Sequence, residues 1–185
     1  MNEIITEKIY PIQRLWVFKS NLGFLFILIF FVPYFFLTYK FGETSKNGEA
    51  NFYTALLIVG FAIFRFIATI LKRANFHYSV EEKFLILKQG ILSKQQLHVP
   101  YGVIQNLFVK QDLFDRIFGL ASLTIENASQ GAGALMPPRR RVEMVGFSGN
   151  KVSIPGLSKA NAEILKDIIL QKMKENPIED SQSGL

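Results

Sequence analysis

Two textures divide the chain. From Ser20 to Tyr39 it reads SNLGFLFILIFFVPYFFLTY, twenty residues without a charge, bracketed by Lys19 and Lys40. As a helix this stretch covers ~30 Å, the thickness of a bilayer's hydrocarbon core. It predicts a transmembrane span over 20–39. A cleaved leader fits less well, because its apolar core would be unusually long and Lys40-Phe41-Gly42-Glu43 follows in place of a small-x-small site. Pro33 is expected to bend the outer half, where a neighbouring helix can compensate for the lost hydrogen bond. A second span is predicted over 51–71 with one charge, Arg65, and a short polar hairpin, Phe41 to Ala50, joins the two.

After Arg73 the apolar runs shorten to between four and seven residues and alternate with Gly, Pro, Asn and Ser. That is the pattern of a small β structure. Strands are predicted at Asn75–Val80, Phe84–Gln89, Gln95–Val99, Ile104–Lys110, Leu123–Asn127, Val142–Phe147 and Lys151–Ile154. Two helices interrupt or close them. In the first, Leu113, Phe114, Ile117 and Phe118 share one face, Asp112 is the expected N-cap and Gly119 the stop. Core packing is the expected use of that face, with lipid or a partner as the alternative. The second runs from Ser158 as N-cap to about Glu175, with Ala160, Ile164, Leu165, Ile168, Ile169 and Met173 as its apolar stripe. Before the first span, Ile12, Leu15, Trp16 and Lys19 have helical spacing, which suits a segment lying along the inner interface. The chain thus reads as an N-terminal cytoplasmic or interfacial segment (1–19), a transmembrane hairpin (20–71), a β domain (72–176) and a disordered polar tail (177–185).

Composition sharpens this picture by subtraction. Of 185 residues none is cysteine and only His77 and His98 are histidine, which removes disulfides, thiolate chemistry and a histidine-rich metal site. No cofactor or metal is expected. Net charge is +6, and with two spans in the chain an anionic membrane surface is the better counterpart than nucleic acid. Lys8, Arg14 and Lys19 flank the first span, and Lys72-Arg73 with Lys83 and Lys88 follow the second, against Lys40 and Lys46 in the hairpin. The positive-inside rule then places both termini and the β domain in the cytoplasm, as a multi-pass protein of the cell (inner) membrane. Tyr34, Tyr39 and Tyr53 would line the outer interface and Trp16 the inner one.

The chain carries no Gly-x-Ser-x-Gly, His-Glu-x-x-His or Walker sequence, and Gly131-Ala132-Gly133 lacks the Gly-Lys-Ser/Thr that would cradle phosphate. His98 reads as structural rather than catalytic, and no enzyme activity is expected. Asn106 reads as a buried side chain fixing a turn, with ligand contact as the alternative. Lipid-headgroup contact falls to four arginines. Arg139, Arg140 and Arg141 follow two prolines that stiffen their loop, and an anionic leaflet or plain solvent would each suit them. Arg65 lies two turns from Lys72-Arg73, so its stem can snorkel to the interface or reach a lipid phosphate; a transport role is the third use of an intramembrane charge.

The stretches Asn75–Val80 with Phe84–Ser93, Val99-Pro100-Tyr101-Gly102-Val103-Ile104-Gln105-Asn106-Leu107, Leu113–Leu120 and Ile154-Pro155-Gly156-Leu157 resemble the bacterial PH domains of YdbS/YdbT-like membrane-flanked proteins. The resemblance covers roughly residues 10–175 and departs from the family at Ala128–Arg141. It implies a transmembrane hairpin followed by a PH-like small β-barrel or sandwich capped by a C-terminal α-helix. It also implies work beside another PH-like membrane protein, in a homo- or hetero-oligomer. The function expected is a non-catalytic membrane-anchored scaffold or subunit of an assembly. An anionic-headgroup sensor and an accessory subunit of a transporter or membrane enzyme are the alternatives.

Overall fold

The structure, a computed structural model, describes residues 5–41, 45–127, 147–148 and 151–177. It forms two compact units, Val17–Arg73 on one hand and Met1–Trp16 with Ala74–Leu185 on the other.

The first unit is an antiparallel helical hairpin of α1 (Leu15–Phe41) and α2 (Ser45–Ala74). Each contains 26 residues long and apolar enough to cross a membrane, Leu15–Lys40 and Glu49–Ala74. Both outrun the expected spans. Helical backbone satisfies its own hydrogen bonds, so nothing halts it at the hydrocarbon edge, and residues 45–50 of the expected polar hairpin join α2. Pro33 sits inside α1 without ending it. Aromatic pairs set the register: Phe18–Phe66 at 5.9 Å, Phe24–Phe61 at 5.5 Å and Tyr39–Phe52 at 5.2 Å between ring centroids. Near the turn, the Asn51 amide donates to the Thr38 hydroxyl at 2.9 Å, a polar bond of the kind that holds helices together where no water competes.

The second unit is built of two four-stranded antiparallel sheets. One has the order β1 (Ile5–Thr6), β2 (His77–Val80), β3 (Phe84–Gln89), β4 (Gln95–Pro100). The other has the order β5 (Ile104–Lys110), β6 (Leu120–Asn127), β8 (Lys151–Ser158), β7 (Phe147–Ser148). Among the described residues the sheets do not pair with each other, so the unit is a sandwich and not a closed barrel. Helix α3 (Leu113–Phe118) joins β5 to β6, and α4 (Lys159–Glu175) follows β8. Expected strands match closely where turn residues bound them. The expected strand at 142–147 lies outside the described residues except for Phe147.

Alternate positions fill the core: Tyr78 and Val80 from β2, Leu85 and Leu87 from β3, Leu123 and Ile125 from β6, Val152 and Ile154 from β8. Helix α4 lays Ala162, Leu165 and Ile169 over them, with Ile168 and Met173 packed at the margin. Its stripe is therefore rotated from the expected one: Ala160 and Ile164 face outward and Ala162 faces the core, because packing on the strands beneath chooses the buried face, while the Ser158 hydroxyl, which accepts from the Asn161 N–H, caps the helix as expected. The tail expected to be disordered lies, from residue 178, outside the described residues.

The N-terminal segment belongs to this unit. Ile5 and Thr6 pair with Val80 and Ser79, the Tyr78 hydroxyl donates to the Tyr10 carbonyl at 2.6 Å, and Ile12 lies in the core at 1% exposure. Residues 12–16 therefore pack with the sandwich and do not lie along the membrane as their spacing suggests, and the domain does not begin only at residue 72. Instead the transmembrane hairpin is an insertion between β1 and β2 of one sandwich.

Candidate functional site

Arg65 projects from α2, where its Nη2 donates to the Ser20 carbonyl at 3.3 Å and its guanidinium stands 6.0 Å from the Phe24 ring centroid. The charge is thus engaged by a backbone oxygen and an aromatic face. Arg139, Arg140 and Arg141 lie outside the described residues.

On the outer face of the second sheet, Asn106, Glu126 and Lys151 stand side by side on three strands. The Asn106 amide donates to Glu126 Oε2 at 3.0 Å, and Lys151 pairs with Oε1. The hydrogen bonds from Lys151 and Asn106 hold the Glu126 carboxyl below the usual carboxylate range. Asn106 is exposed, not buried as expected, because a register shift between Ile104 and Asn106 turns its side chain outward. Nothing in this polar ladder is poised to react.

His98 is exposed and contacts Gln96 across 2.7 Å. Asp112 and Asp115 form a capping box at α3, each carboxylate accepting the other residue's backbone N–H. Asp112 is therefore an N-cap as expected. The expectation for the rest of α3 fails. Asp115 is buried, whereas Leu113 and Ile117 are 69% and 67% exposed and Phe114 is 40% exposed. The capping box fixes the helix with Asp115 toward the sandwich, which leaves the apolar face outside.

A groove among the described residues was not legible in the sequence, since β1 and the residues after it supply one of its walls. It holds about 450 Å³ on the outer face of the first sheet. Ile86 forms an apolar floor, Lys8 and Lys88 line the sides, and Glu7 meets His77 Nδ1 at 2.7 Å. Cations and one carboxylate face each other here, which suits a weak polar contact better than capture of a free anion. Among the described residues no three His, Asp or Glu groups gather to hold a metal. The two buried phenols, Tyr78 and Tyr101, donate to main-chain carbonyls, and burial pushes both pKa values up, so they serve as neutral struts.

A family model described as bacterial PH domain matches residues 23–173. A curated relative, the UPF0699 transmembrane protein YdbT of Bacillus subtilis (strain 168), is 26% identical over 89 residues, 46% of this chain. The chain covers 18% of that relative's length. No solved structure matches significantly.

Proposed function

Since the chain belongs to the bacterial PH domain family, as a membrane protein with two transmembrane helices and a PH-like sandwich, we propose that it is a non-catalytic scaffold. In this reading it serves as a subunit of a membrane assembly, with the sandwich and both termini on the cytoplasmic side. One observation carries this reading: the hairpin is inserted between β1 and β2, so the sandwich is tied to the bilayer at both Trp16 and Ala74. A domain that senses lipid by recruitment must come and go. A domain held by two spans stays in place, and what it can offer is a surface at a fixed site. The partner expected is another PH-like membrane protein, in line with the relative that is more than twice as long as this chain.

Affinity purification of the full chain in a mild detergent tests the assembly. A stoichiometric second protein, or a defined oligomer of this chain, is the expected result; a lone monomer at native expression would remove the scaffold reading. Orientation is tested separately. A cysteine at Ser45 should react with an impermeant thiol reagent in intact cells, one at Ser183 should not, and the reverse pattern would place the sandwich outside.

A further inference from the structure

We infer that one end of the sandwich is a lipid-contacting rim, where the Gly90–Lys94 loop and helix α3 press apolar side chains into the interface of an anionic bilayer. This rests on the membrane location alone and not on the scaffold role.

Strand register locates the rim. His77, the first residue of β2, pairs with Lys88, and the last pair of the neighbouring ladder is Gln89 with Gln95. The Gly90–Lys94 loop therefore runs on past the start of β2, in the direction from which Ala74 arrives. Ala74 stands three positions before His77 and Leu92 four positions after Lys88, so the loop and the arriving chain lie at the same end of this sheet. In the other sheet Leu120 pairs with Ser158, and the Lys159 N–H donates to the Gly119 carbonyl at 3.2 Å, which puts α3 at the start of α4. Two residues back, Gly156 meets Trp16, and its carbonyl accepts from the Gln13 N–H at 2.7 Å. Helix α4 then runs ~25 Å to the opposite end. There the Asn176 amide donates to the Glu82 carbonyl in the β2–β3 turn. The loop, α3 and both exits of the chain, Trp16 and Ala74, thus share the end remote from Glu82.

What this end presents suits a membrane. Leu92 is 100% exposed, and Leu113 and Ile117 on α3 are about two-thirds exposed. A soluble surface rarely concentrates large apolar groups in this way. Lys88, Lys94, Lys110, Arg116 and Lys159 surround them, all exposed. The acids nearby are engaged: Asp112 and Asp115 cap α3, and Glu7 meets His77. At the opposite end Glu81, Glu82 and Glu175 mix with Lys83 and Lys172. Apolar side chains within a basic collar, on the end from which two spans depart, match acyl chains beneath anionic headgroups.

The absence of native cysteine makes the test clean. Single cysteines at Leu92, Leu113 and Ile117 of the full chain, and at Lys83 on the opposite end, are labelled with a polarity-sensitive fluorophore. Each variant is reconstituted in phosphatidylcholine–phosphatidylglycerol vesicles. Labels at 92, 113 and 117 should shift to the blue and be quenched by spin-labelled acyl chains, while the label at 83 is quenched by aqueous iodide. Iodide quenching at 92, 113 and 117 equal to that at 83 would overturn the proposal. Protection from both quenchers would also overturn it, as the mark of a protein contact instead. Lipid quenching should weaken when phosphatidylglycerol is replaced by phosphatidylcholine or when Lys94→Glu and Arg116→Glu are combined; no change in either case would remove the part assigned to the basic collar.

Discussion

Trp16 lies so close to Gly156 that a β-carbon built on the glycine would stand 2.7 Å from the Trp16 Cβ and Cγ. The contact has a backbone cause. Between Ala121 and Leu123 of β6, strand β8 carries one extra residue, and Gly156 takes up the resulting bulge with a left-handed φ of 68°. The N-terminal segment is seated on that bulge. Gly156→Ala should therefore cost about 2–4 kcal/mol, combining left-handed strain with overpacking. Adding Trp16→Ala should recover only a small part of the loss, because alanine removes the Cγ contact but keeps the Cβ, and the left-handed strain stays. Thermal melting of the full chain in detergent reads both, and an unchanged midpoint for Gly156→Ala would deny the close approach.

Along α4, Leu165 is fully buried while its neighbour Ile164 is 44% exposed. Leu165→Ala should destabilise the sandwich by about 2–5 kcal/mol, the usual cost of a core cavity. Ile164→Ala should change stability by less than about 1 kcal/mol, as surface truncations do. Equal shifts in melting temperature would mean that the helix is rotated from the phase seen here.

The contrast between those two residues shows what was legible in the sequence. Ser158, Glu175 and Pro177 marked the ends of α4, because caps and breakers act locally. Its rotation is decided by what lies underneath, and the sequence-derived stripe took in Ile164 and Ala160 but missed Ala162. Helix α3 failed similarly. Its capping residues were readable, yet its apolar face looks in sequence like any core face, and only the buried Asp115 reveals that the helix is turned the other way. Asn106 was misplaced by a bulge that no local signal announces. Strand β1 has just two residues, too few for an alternation, and its identity resides in Ser79 and Val80 more than seventy positions away. Of the candidate site residues, Arg65 was legible as an isolated charge among apolar neighbours, whereas the groove over Ile86 exists only once β1 has docked.

Two buried phenols predict an alkaline limit. Tyr101 donates to the carbonyls of Glu81 at 2.9 Å and Phe84 at 3.1 Å, and Tyr78 to that of Tyr10. Burial, aided by Glu81 for Tyr101 and by Glu7 and then Tyr10 for Tyr78, raises both pKa values, so the folded state holds the neutral phenols. A raised value contributes stability that is complete below the unfolded pKa of about 10 and is lost as pH climbs beyond it. Tyr101→Phe should lower stability at neutral pH by about 1–3 kcal/mol, since the Glu81 carbonyl loses this donor. The variant should also flatten the fall in melting temperature above that pH. A parallel fall in wild type and variant would show that Tyr101 ionises in both states alike.

The insertion of the hairpin makes the sharpest prediction. If residues 5–16 are part of the sandwich, a fragment that starts at Ala74 lacks β1, the Ile12 side chain in the core, the Gln13 bond to Gly156 and the cover of Trp16. Each loss exposes something that folding must otherwise hide: the edge of β2, a hole beneath Ile12, and a bulge in β8 with its carbonyl unpaired. Such a fragment should show poor dispersion of amide resonances and no cooperative melting. A second fragment joins residues 5–16 to residues 74–177 through a Gly/Ser linker of about a dozen residues, with ~20 Å of mean reach, in place of the spans. It should fold, and Ile12→Ala within it should cost about 2–5 kcal/mol as a core truncation. Cooperative folding of the shorter fragment with the stability of the joined one would show that the N-terminal segment is only an attachment, and would return the start of the domain to the end of the second span.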